Sequence, residues 1–231
     1  MIYLASDIHG HIRLEWLKTQ LNKLPLTDSD YLIILGDAGM IWSRTEHLEV
    51  RAYYECLPCK TLFLDGNHEN FDLIYEYPIK DFCGGSVHQI SEKLYHLMRG
   101  EIYSIDGNTF FVFGGGFSVK KLTGSSPVYV WEQEMPTEKE YENGIRNLGK
   151  VGYQVDYVFT HVAPTNIAES ISVKLMQEEK IINDYLQTIS KKTNYKKWYF
   201  GHYHKDIHTG SFVGVFESVL RLGGINGTEI Y

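Results

Sequence analysis

The chain has 231 residues, of which 43% are apolar and 22% charged, so it can build a substantial core. Its 22 Lys and Arg against 29 Asp and Glu give a net charge of −7, a poor electrostatic match for a long nucleic-acid backbone. Three cysteines are too few for a disulfide-stapled secreted domain. No cationic leader and no run of roughly 18 apolar residues is visible. We therefore expect one cytoplasmic domain over residues 1–231 that does not enter a membrane.

Short apolar runs predict buried β-strands in the first and last thirds of the chain. They are Ile2–Ser6, Tyr31–Leu35, Thr61–Asp65, Val155–Thr160 and Lys197–Phe200. Amphipathic helical patterns over residues 14–24 and 48–57 separate the first three runs. This strand–helix–strand order indicates parallel strands joined by right-handed crossovers.

The remaining patterns predict a hairpin, two further helices and a β-rich tail. The hairpin joins Glu101–Ile105 to Thr109–Phe113 through an Asp-Gly-Asn turn. Residues 138–151 and 168–188 have helical patterns, and the tail from Ile207 to Ile230 alternates as antiparallel strands do. Together these elements predict a mixed α/β fold with a second, partly antiparallel sheet.

Almost every predicted strand runs directly into Asp, His or Asn. The residues concerned are Asp7, His9, Asp37, Asn67, His68, His161, His202 and His204. Because α/β sheets bind ligands outside the carboxyl ends of their strands, we expect these side chains to gather at one edge. Glycines at 36, 66 and 201 precede several of them and permit tight turns and close backbone approach.

The chemistry of this set points to metal ions. Two carboxylates, one amide oxygen and four imidazoles suit Mn, Fe or Zn and are too rich in nitrogen for Ca. Apart from His68, the set contains too many ligands for one open site, but two ions that share a carboxylate would accommodate them. Such a pair, about 3.5–4 Å apart, can drive in-line displacement at phosphorus by a bridging hydroxide. His68 follows Asn67 directly and is the candidate to protonate the leaving group.

The five motifs, in this order, resemble the calcineurin-like metallophosphoesterase superfamily, including its bacterial and phage-type members. They are Asp7-Ile8-His9, Gly36-Asp37, Gly66-Asn67-His68-Glu69, His161 and Gly201-His202-Tyr203-His204. The resemblance implies a β-sandwich of two mixed sheets flanked by helices, in four αββα layers. It also implies two divalent metal ions, with Mn favoured and Fe or Zn as alternatives.

The same resemblance implies a role for each residue. Asp7, His9 and His204 would hold the first ion, Asn67, His161 and His202 the second, and Asp37 would bridge them. Asp37 and His68 would be catalytic, and Asn67 and His68 would contact the substrate. The implied activity is hydrolysis of small phosphomonoesters or phosphodiesters.

Other functions remain open at this stage. A Ser/Thr protein phosphatase is supported by Glu69, but the family's phosphatase branch has arginines beside the second and third motifs that are missing here. A non-catalytic binding module would be expected to lose ligands, and the acidic charge opposes a nuclease for long polymers. Candidate substrate-binding cations are Arg13, Arg99, Lys120, Lys121 and Arg146.

Two further interpretations concern the surroundings of the site. Residues 114–121 with 131–134 are interpreted as a loop on the substrate side. The histidines outside the motifs are interpreted as surface or packing residues, and they are His11, His47, His88, His96 and His208. The natural substrate, the ester preference and the oligomeric state are not determined by the sequence.

Overall fold

The first of two β-sheets in the computed structural model contains eight strands. The structure describes residues 1–118, 131–171, 175–223 and the backbone of 229–230. In spatial order the strands are β14 (Glu229–Ile230), β13 (Leu220–Arg221), β1 (Ile2–Ala5), β2 (Tyr31–Leu35), β3 (Lys60–Leu64), β6 (Leu94–Leu97), β5 (Gly85–Gln89) and β4 (Ile79–Phe82). Strands β1, β2, β3 and β6 run parallel, and the strands at both edges are antiparallel.

The second sheet contains six strands. Their order is β11 (Ile207–Thr209), β12 (Phe212–Gly214), β10 (Lys197–Phe200), β9 (Tyr157–Thr160), β8 (Asn108–Phe113) and β7 (Glu101–Ile105). Strands β8, β9, β10 and β12 are parallel, whereas β7 and β11 pair antiparallel with their neighbours. Both sheets are therefore mixed.

Helices cover the outer faces of the two sheets. They are α1 (Leu14–Leu21), α2 (Leu48–Cys56), α3 (Phe71–Ile74), α4 (Glu138–Lys150), α5 (Thr165–Ser170) and α6 (Gln177–Lys192). Short 3-10 helices lie at Gly10–Ile12 and Glu132–Glu134. Within the described ranges, no helix combines the length and the apolar character that crossing a bilayer requires.

Strand β1 shows how the core is layered. Ile2 and Leu4 belong to the apolar layer between the two sheets, whereas Tyr3 and Ala5 belong to the layer beneath α1 and α2. Both faces of the strand are thus buried, which explains its continuous apolar run. A third apolar layer joins the second sheet to α4, α5 and α6. The predicted four-layer αββα sandwich is confirmed.

The strands that lead into the motifs begin and end within about two residues of the predicted positions, and so do the hairpin and the helix at 138–151. The helix predicted over 168–188 is wrong, because α5 ends at Ser170 and α6 begins at Gln177. The Ser170 hydroxyl donates to the carbonyl of Ile167 and satisfies a group at the end of α5. Residues 172–174 lie outside the described residues.

The C-terminal tail also differs from its prediction as a run of antiparallel strands. It divides between the sheets, and β12 pairs parallel with β10 while β13 adds to β1. Strands β4, β5 and β6 were not predicted, since Gly84-Gly85 and two histidines interrupt their apolar pattern.

Candidate metal centre

The structure brings all the predicted metal ligands together at the carboxyl ends of five parallel strands. These residues are Asp7, His9, Asp37, Asn67, His161, His202 and His204, and they follow β1, β2, β3, β9 and β10. The two sheets end side by side at this edge. Residues distant in sequence therefore come within hydrogen-bonding distance of one another.

The backbone at this edge is strained. The angle φ is positive at Asp7 (54°), His9 (51°), Asp37 (50°), His202 (69°) and His204 (51°). For residues other than glycine this conformation costs about 1–3 kcal/mol, and it persists where the surroundings enforce it, often at functional sites. Here the N–H of Asp7 donates to Gly36 (3.1 Å), and the N–H of His9 donates to the carbonyl of Asp37 (2.7 Å).

Two glycines allow these side chains to approach other strands closely. A Cβ atom at Gly66 would lie 2.1 Å from Oδ1 of Asp37, and one at Gly36 would lie 2.2 Å from Nδ1 of His161. Both distances are far below any van der Waals contact. A glycine is therefore required at each position if the side chain from the other strand is to occupy its place.

The first cluster contains Asp7, His9 and His204. The Nε2 atoms of His9 and His204 are 3.1 Å apart, and Nε2 of His204 lies 3.4 Å from Oδ1 of Asp7. Burial lowers the pKa of His9, so its imidazole tends to be neutral, as a metal ligand must be. Burial opposes ionisation of Asp7, but hydrogen bonding to His204, the charge of His161 and a bond from Ser6 lower its pKa.

The second cluster contains Asn67, His161 and His202. Oδ1 of Asn67 lies 3.2 Å from Nε2 of His161 and 3.1 Å from Nδ1 of His202, and these two nitrogens are 3.3 Å apart. Three potential ligand atoms thus converge on one point from three different strands.

Asp37 lies between the two clusters. Its Oδ2 is 3.6 Å from Nε2 of His9, and its Oδ1 is 3.6 Å from Nε2 of His161. A ligand atom of Asp7 also comes within 4.8 Å of Asp37 and His161. Both buried carboxylates are therefore placed to contribute charge to two neighbouring cations.

The proton positions in the second cluster provide a test of whether a cation fits there. The Asn67 amide donates from Nδ2 to Oγ of Ser118 (3.0 Å), which turns its oxygen into the cluster. Nδ1 of His161 lies 2.8 Å from the carbonyl of Leu35, an obligate acceptor, so the proton is on Nδ1. Nε2 of His202 lies 3.2 Å from a carboxylate oxygen of Glu179, whose negative charge favours a proton on Nε2.

Three lone pairs consequently face one another over 3.1 to 3.3 Å. Such an arrangement is repulsive unless a cation or an additional proton occupies the centre. The amide oxygen and two imidazoles are donors of the mixed type that Mn, Fe and Zn accept. The residues present therefore fit a divalent transition-metal ion.

His204 is held by a stack of flat groups. Its ring is stacked on Phe216 with centroids 4.7 Å apart and planes 7° apart. The guanidinium of Arg13 lies 3.9 Å from the centroid of the Phe216 ring, on which it packs, and 4.1 Å from that of Trp16. The stack limits rotation of a side chain that is otherwise 49% exposed.

The cations proposed from the sequence are mostly engaged elsewhere. Arg13 donates to the backbone carbonyls of Ser6, Asp7 and Phe216. Arg99 is buried and donates twice to Oδ2 of Asp65, at 2.8 and 2.5 Å. Arg146 lines a different cavity, and residues 120 and 121 lie outside the described residues.

His68 borders the first cluster. Its backbone N–H donates to Oδ1 of Asp37 (2.7 Å), and its half-buried ring lies 5.4 Å from that of His9. The next residue, Glu69, is fully buried and accepts hydrogen bonds from the N–H groups of Ala38 and Gly39. Burial and the charge of Asp37 raise its pKa well above the usual range. Glu69 thus braces the loop after β2, which is a structural use of that motif position.

Sequence patterns did not identify Glu179 or Phe216, and they indicated Ser118 only as part of a loop. Ser118 belongs to the predicted substrate-side loop, whose described part packs against Asn67, while residues 119–121 lie outside the described residues. Glu179 occupies the first turn of α6, where an acidic residue is ordinary. No local signal distinguishes it, because its contact with His202 arises from tertiary packing.

Comparisons with known proteins identify the family of this chain. The sequence model of the calcineurin-like phosphoesterase family matches residues 1–206. No curated protein sequence matches the chain. The chain belongs to the calcineurin-like phosphoesterase family.

Solved structures that are similar to this chain share little sequence with it. A protein from Staphylococcus aureus provisionally assigned as a 5′-nucleotidase, in complex with α-ketoglutarate, is 15% identical with a TM-score of 0.51. The match covers 100% of this chain and 52% of that one, so this chain spans about half of its length. A phosphopantetheinyl hydrolase from Mycobacterium tuberculosis is 14% identical, with a TM-score of 0.45 and coverage of 93% and 89%.

Proposed function

We propose that this chain hydrolyses small phosphomonoesters or phosphodiesters at a centre of two divalent metal ions. The observation that carries the proposal is the position of Asp37, whose two oxygens face His9 on one side and His161 on the other, each at 3.6 Å. A carboxylate in this position can serve two cations at once. When bound, the ions would activate water as a nucleophile and neutralise charge on the phosphate.

The side chains divide between the two ions by proximity. Asp7, His9 and His204 would hold the first ion, and Asn67, His161 and His202 would hold the second, with Asp37 shared. Each imidazole must be neutral at the atom that binds metal, which the proton positions of His161 and His202 favour. Mn is the ion we favour, with Fe or Zn as alternatives.

His68 would act on the substrate rather than on the ions. Its backbone is fixed to Asp37, and its ring projects beside the first cluster into an open cavity. From there the imidazole can donate a proton or a hydrogen bond to the oxygen of the leaving group. Asn67 would contact the phosphate as well as the second ion.

A phosphoprotein substrate is less well supported. Glu69, the one motif residue that favoured a protein phosphatase, has a structural role in the loop after β2. Among the residues described, no arginine lines the cavity beside His9, His68 and His204. We further propose that residues 1–231 form one domain and that the protein acts in the cytoplasm.

Hydrolysis of aryl phosphate monoesters and diesters tests the proposal. The metal-free protein and the protein supplied with Mn, Fe or Zn should be compared, with Asp37→Asn as the control. We expect metal-dependent release of the aryl alcohol, and loss of that release in the control. Metal-loaded protein that is inert toward both esters, nucleotides and phosphopeptides would refute the proposal.

A further inference from the structure

A cavity of about 490 Å³ opens beside the predicted first metal ion. His9, His68 and His204 line the cavity beside the first cluster, and the other rings that line it, here called the outer wall, are those of His11, Trp42 and His47. Among the described residues that line this cavity, none is Lys, Arg, Asp or Glu. It is therefore a space next to the proposed reaction centre whose walls are mainly flat rings.

The rings of the outer wall are held in place. Those of His11 and His47 stack with centroids 3.9 Å apart and planes only 12° apart. Trp42 packs edge-on against Trp131 at 5.7 Å, and the Trp131 indole donates to Asp72. The first contact joins the 3-10 helix after β1 to the start of α2, and the second joins the loop after β2 to the residue before the 3-10 helix at Glu132–Glu134.

Two glycines, Gly10 and Gly39, also line this cavity. A Cβ atom at Gly39 would lie 2.4 Å from the backbone nitrogen of Gly10, so the two backbones are in direct contact. Because Gly10 and Gly39 add only backbone to the lining, rings make up most of its side-chain surface.

The position of His68 determines which part of a substrate would enter this cavity. In the proposed function its imidazole faces the leaving-group oxygen, and the same ring lines this cavity. The leaving group must therefore extend into the cavity once the phosphate lies at the metal centre. Flat uncharged rings stack favourably on aromatic side chains, whereas a second charged group would find no counter-charge on these walls.

We propose that this cavity binds the leaving group of the substrate and selects one that carries a planar, uncharged ring, either an aryl group or a nucleoside base. His11, Trp42 and His47 are the residues that determine this specificity. The inference rests on the proposed phosphoesterase activity, because it assigns the substrate class of that same site.

A matched pair of substrates isolates the effect of the ring. Adenosine 5′-phosphate and ribose 5-phosphate both release a primary alkoxide from the C5 position of ribose and differ by the base, so leaving-group reactivity is nearly equal. We expect kcat/KM to be about 5- to 100-fold higher for the nucleotide. His11→Ala and Trp42→Ala should reduce this ratio toward one, and His11→Phe should preserve most of it. His208→Ala, an exposed histidine that lines no cavity described above, should leave the ratio unchanged.

Binding to the metal-free protein separates this inference from the activity. Adenosine and phenol should each be titrated while tryptophan fluorescence is followed, with His11→Ala as the control because it retains Trp42. Saturable quenching that His11→Ala weakens supports the cavity, and the better ligand identifies a nucleoside or an aryl source. The inference would be overturned if neither compound binds, or if the matched substrates have equal kcat/KM in the unaltered protein. Failure to hydrolyse any phosphoester would instead refute the proposed function.

Discussion

Oε1 of Glu179 lies 3.2 Å from Nε2 of His202, on the side of the ring opposite the second cluster. Glu179 is only 4% exposed, and this oxygen has no hydrogen bond to any described group, so its contact with His202 is an ion-pair contact rather than an aligned hydrogen bond. Burial opposes protonation of His202, yet the adjacent carboxylate raises its pKa. A carboxylate in this position fixes the tautomer and the orientation of a metal-binding imidazole.

Removing this carboxylate should weaken binding of the second ion. We expect Glu179→Ala to lower Mn affinity by about 10- to 100-fold, because Nδ1 of His202 is no longer fixed as a lone pair toward Asn67. Glu179→Gln should retain much of the affinity, since its amide oxygen can still accept from Nε2. Competition with a chelator measures the affinity, and ¹⁵N NMR of the histidine rings reports the tautomer.

The adjacent Glu178 provides a matched control for that experiment. It lies in the same helical turn but is more exposed, so Glu178→Ala removes the same charge without the contact to His202. Its Mn affinity should match that of the unaltered protein. If Glu178→Ala and Glu179→Ala lose equal Mn affinity, the loss comes from a general charge effect, and Glu179 does not position His202.

Asp37 and His68 should separate metal binding from chemistry. Asp37→Asn should weaken binding of both ions, because a neutral amide replaces the charge between the clusters. His68→Ala should leave the metal content close to normal and slow turnover by roughly 10²- to 10⁴-fold. Elemental analysis and steady-state kinetics on the same samples check both statements, and loss of the metals from His68→Ala would contradict the assigned roles.

Gly36→Ala should disrupt the second cluster, because the added methyl group would collide with the ring of His161. The added Cβ would lie 2.2 Å from Nδ1 of the imidazole, at a φ of +91°. We expect a loss of at least about 1–3 kcal/mol in the free energy of unfolding, together with weaker binding of the second ion. Urea denaturation and chelator competition are the measurements.

Gly107→Ala separates the steric contact from the backbone strain. Gly107 also has a positive φ, +75°, but a Cβ there would meet nothing within 4 Å. This variant should lose stability through strain while retaining its metal affinity. Equal effects of the two variants on metal binding would show that the contact with His161 is unimportant.

His88 should make the fold sensitive to mild acid. Burial, followed by the neighbouring His96, lowers the pKa of His88 to about 4. Its Nδ1 lies 3.0 Å from Nδ1 of His96, which in turn contacts Asp65. Because its pKa is lower in the folded protein, His88 binds a proton more tightly in the unfolded chain. Neutral His88 therefore stabilises the fold fully above pH 6.5, the usual pKa, and this contribution disappears as the pH falls toward 4.

Urea unfolding of the metal-free protein across that pH range tests the role of His88. As the pH falls, the free energy of unfolding should decrease by up to roughly 3 kcal/mol more in the unaltered protein than in His88→Phe, since one pKa unit corresponds to about 1.4 kcal/mol. Phenylalanine can preserve the ring packing against Tyr75, which stacks on His88 at 5.3 Å. Parallel pH profiles for the two proteins would exclude His88 as the cause.

The fold could be predicted where local pattern and burial coincide. Strands such as β1 and β2 are buried on both faces and read as continuous apolar runs. The segment of β4 to β6 lacks such a run, because His88 and His96 form a polar network inside the sheet. The break between α5 and α6 was missed because the amphipathic pattern continues past Ser170.

The candidate site was predictable where residues form short motifs and was not where packing alone brings them together. The predicted ligands do lie together, while their metal roles stay predictions. Glu179 has the appearance of an ordinary helix residue, and the stacked rings of His11 and His47 come from separate loops. Contacts of this kind depend on the packing of distant elements and leave no local pattern.

Anomalous diffraction from crystals of the protein soaked in Mn is the most direct test of a two-ion centre. We predict two peaks about 3.5–4 Å apart, with Asp37 between them. Asp7, His9 and His204 should surround one peak, and Asn67, His161 and His202 the other. A single peak, or peaks away from these side chains, would contradict the account.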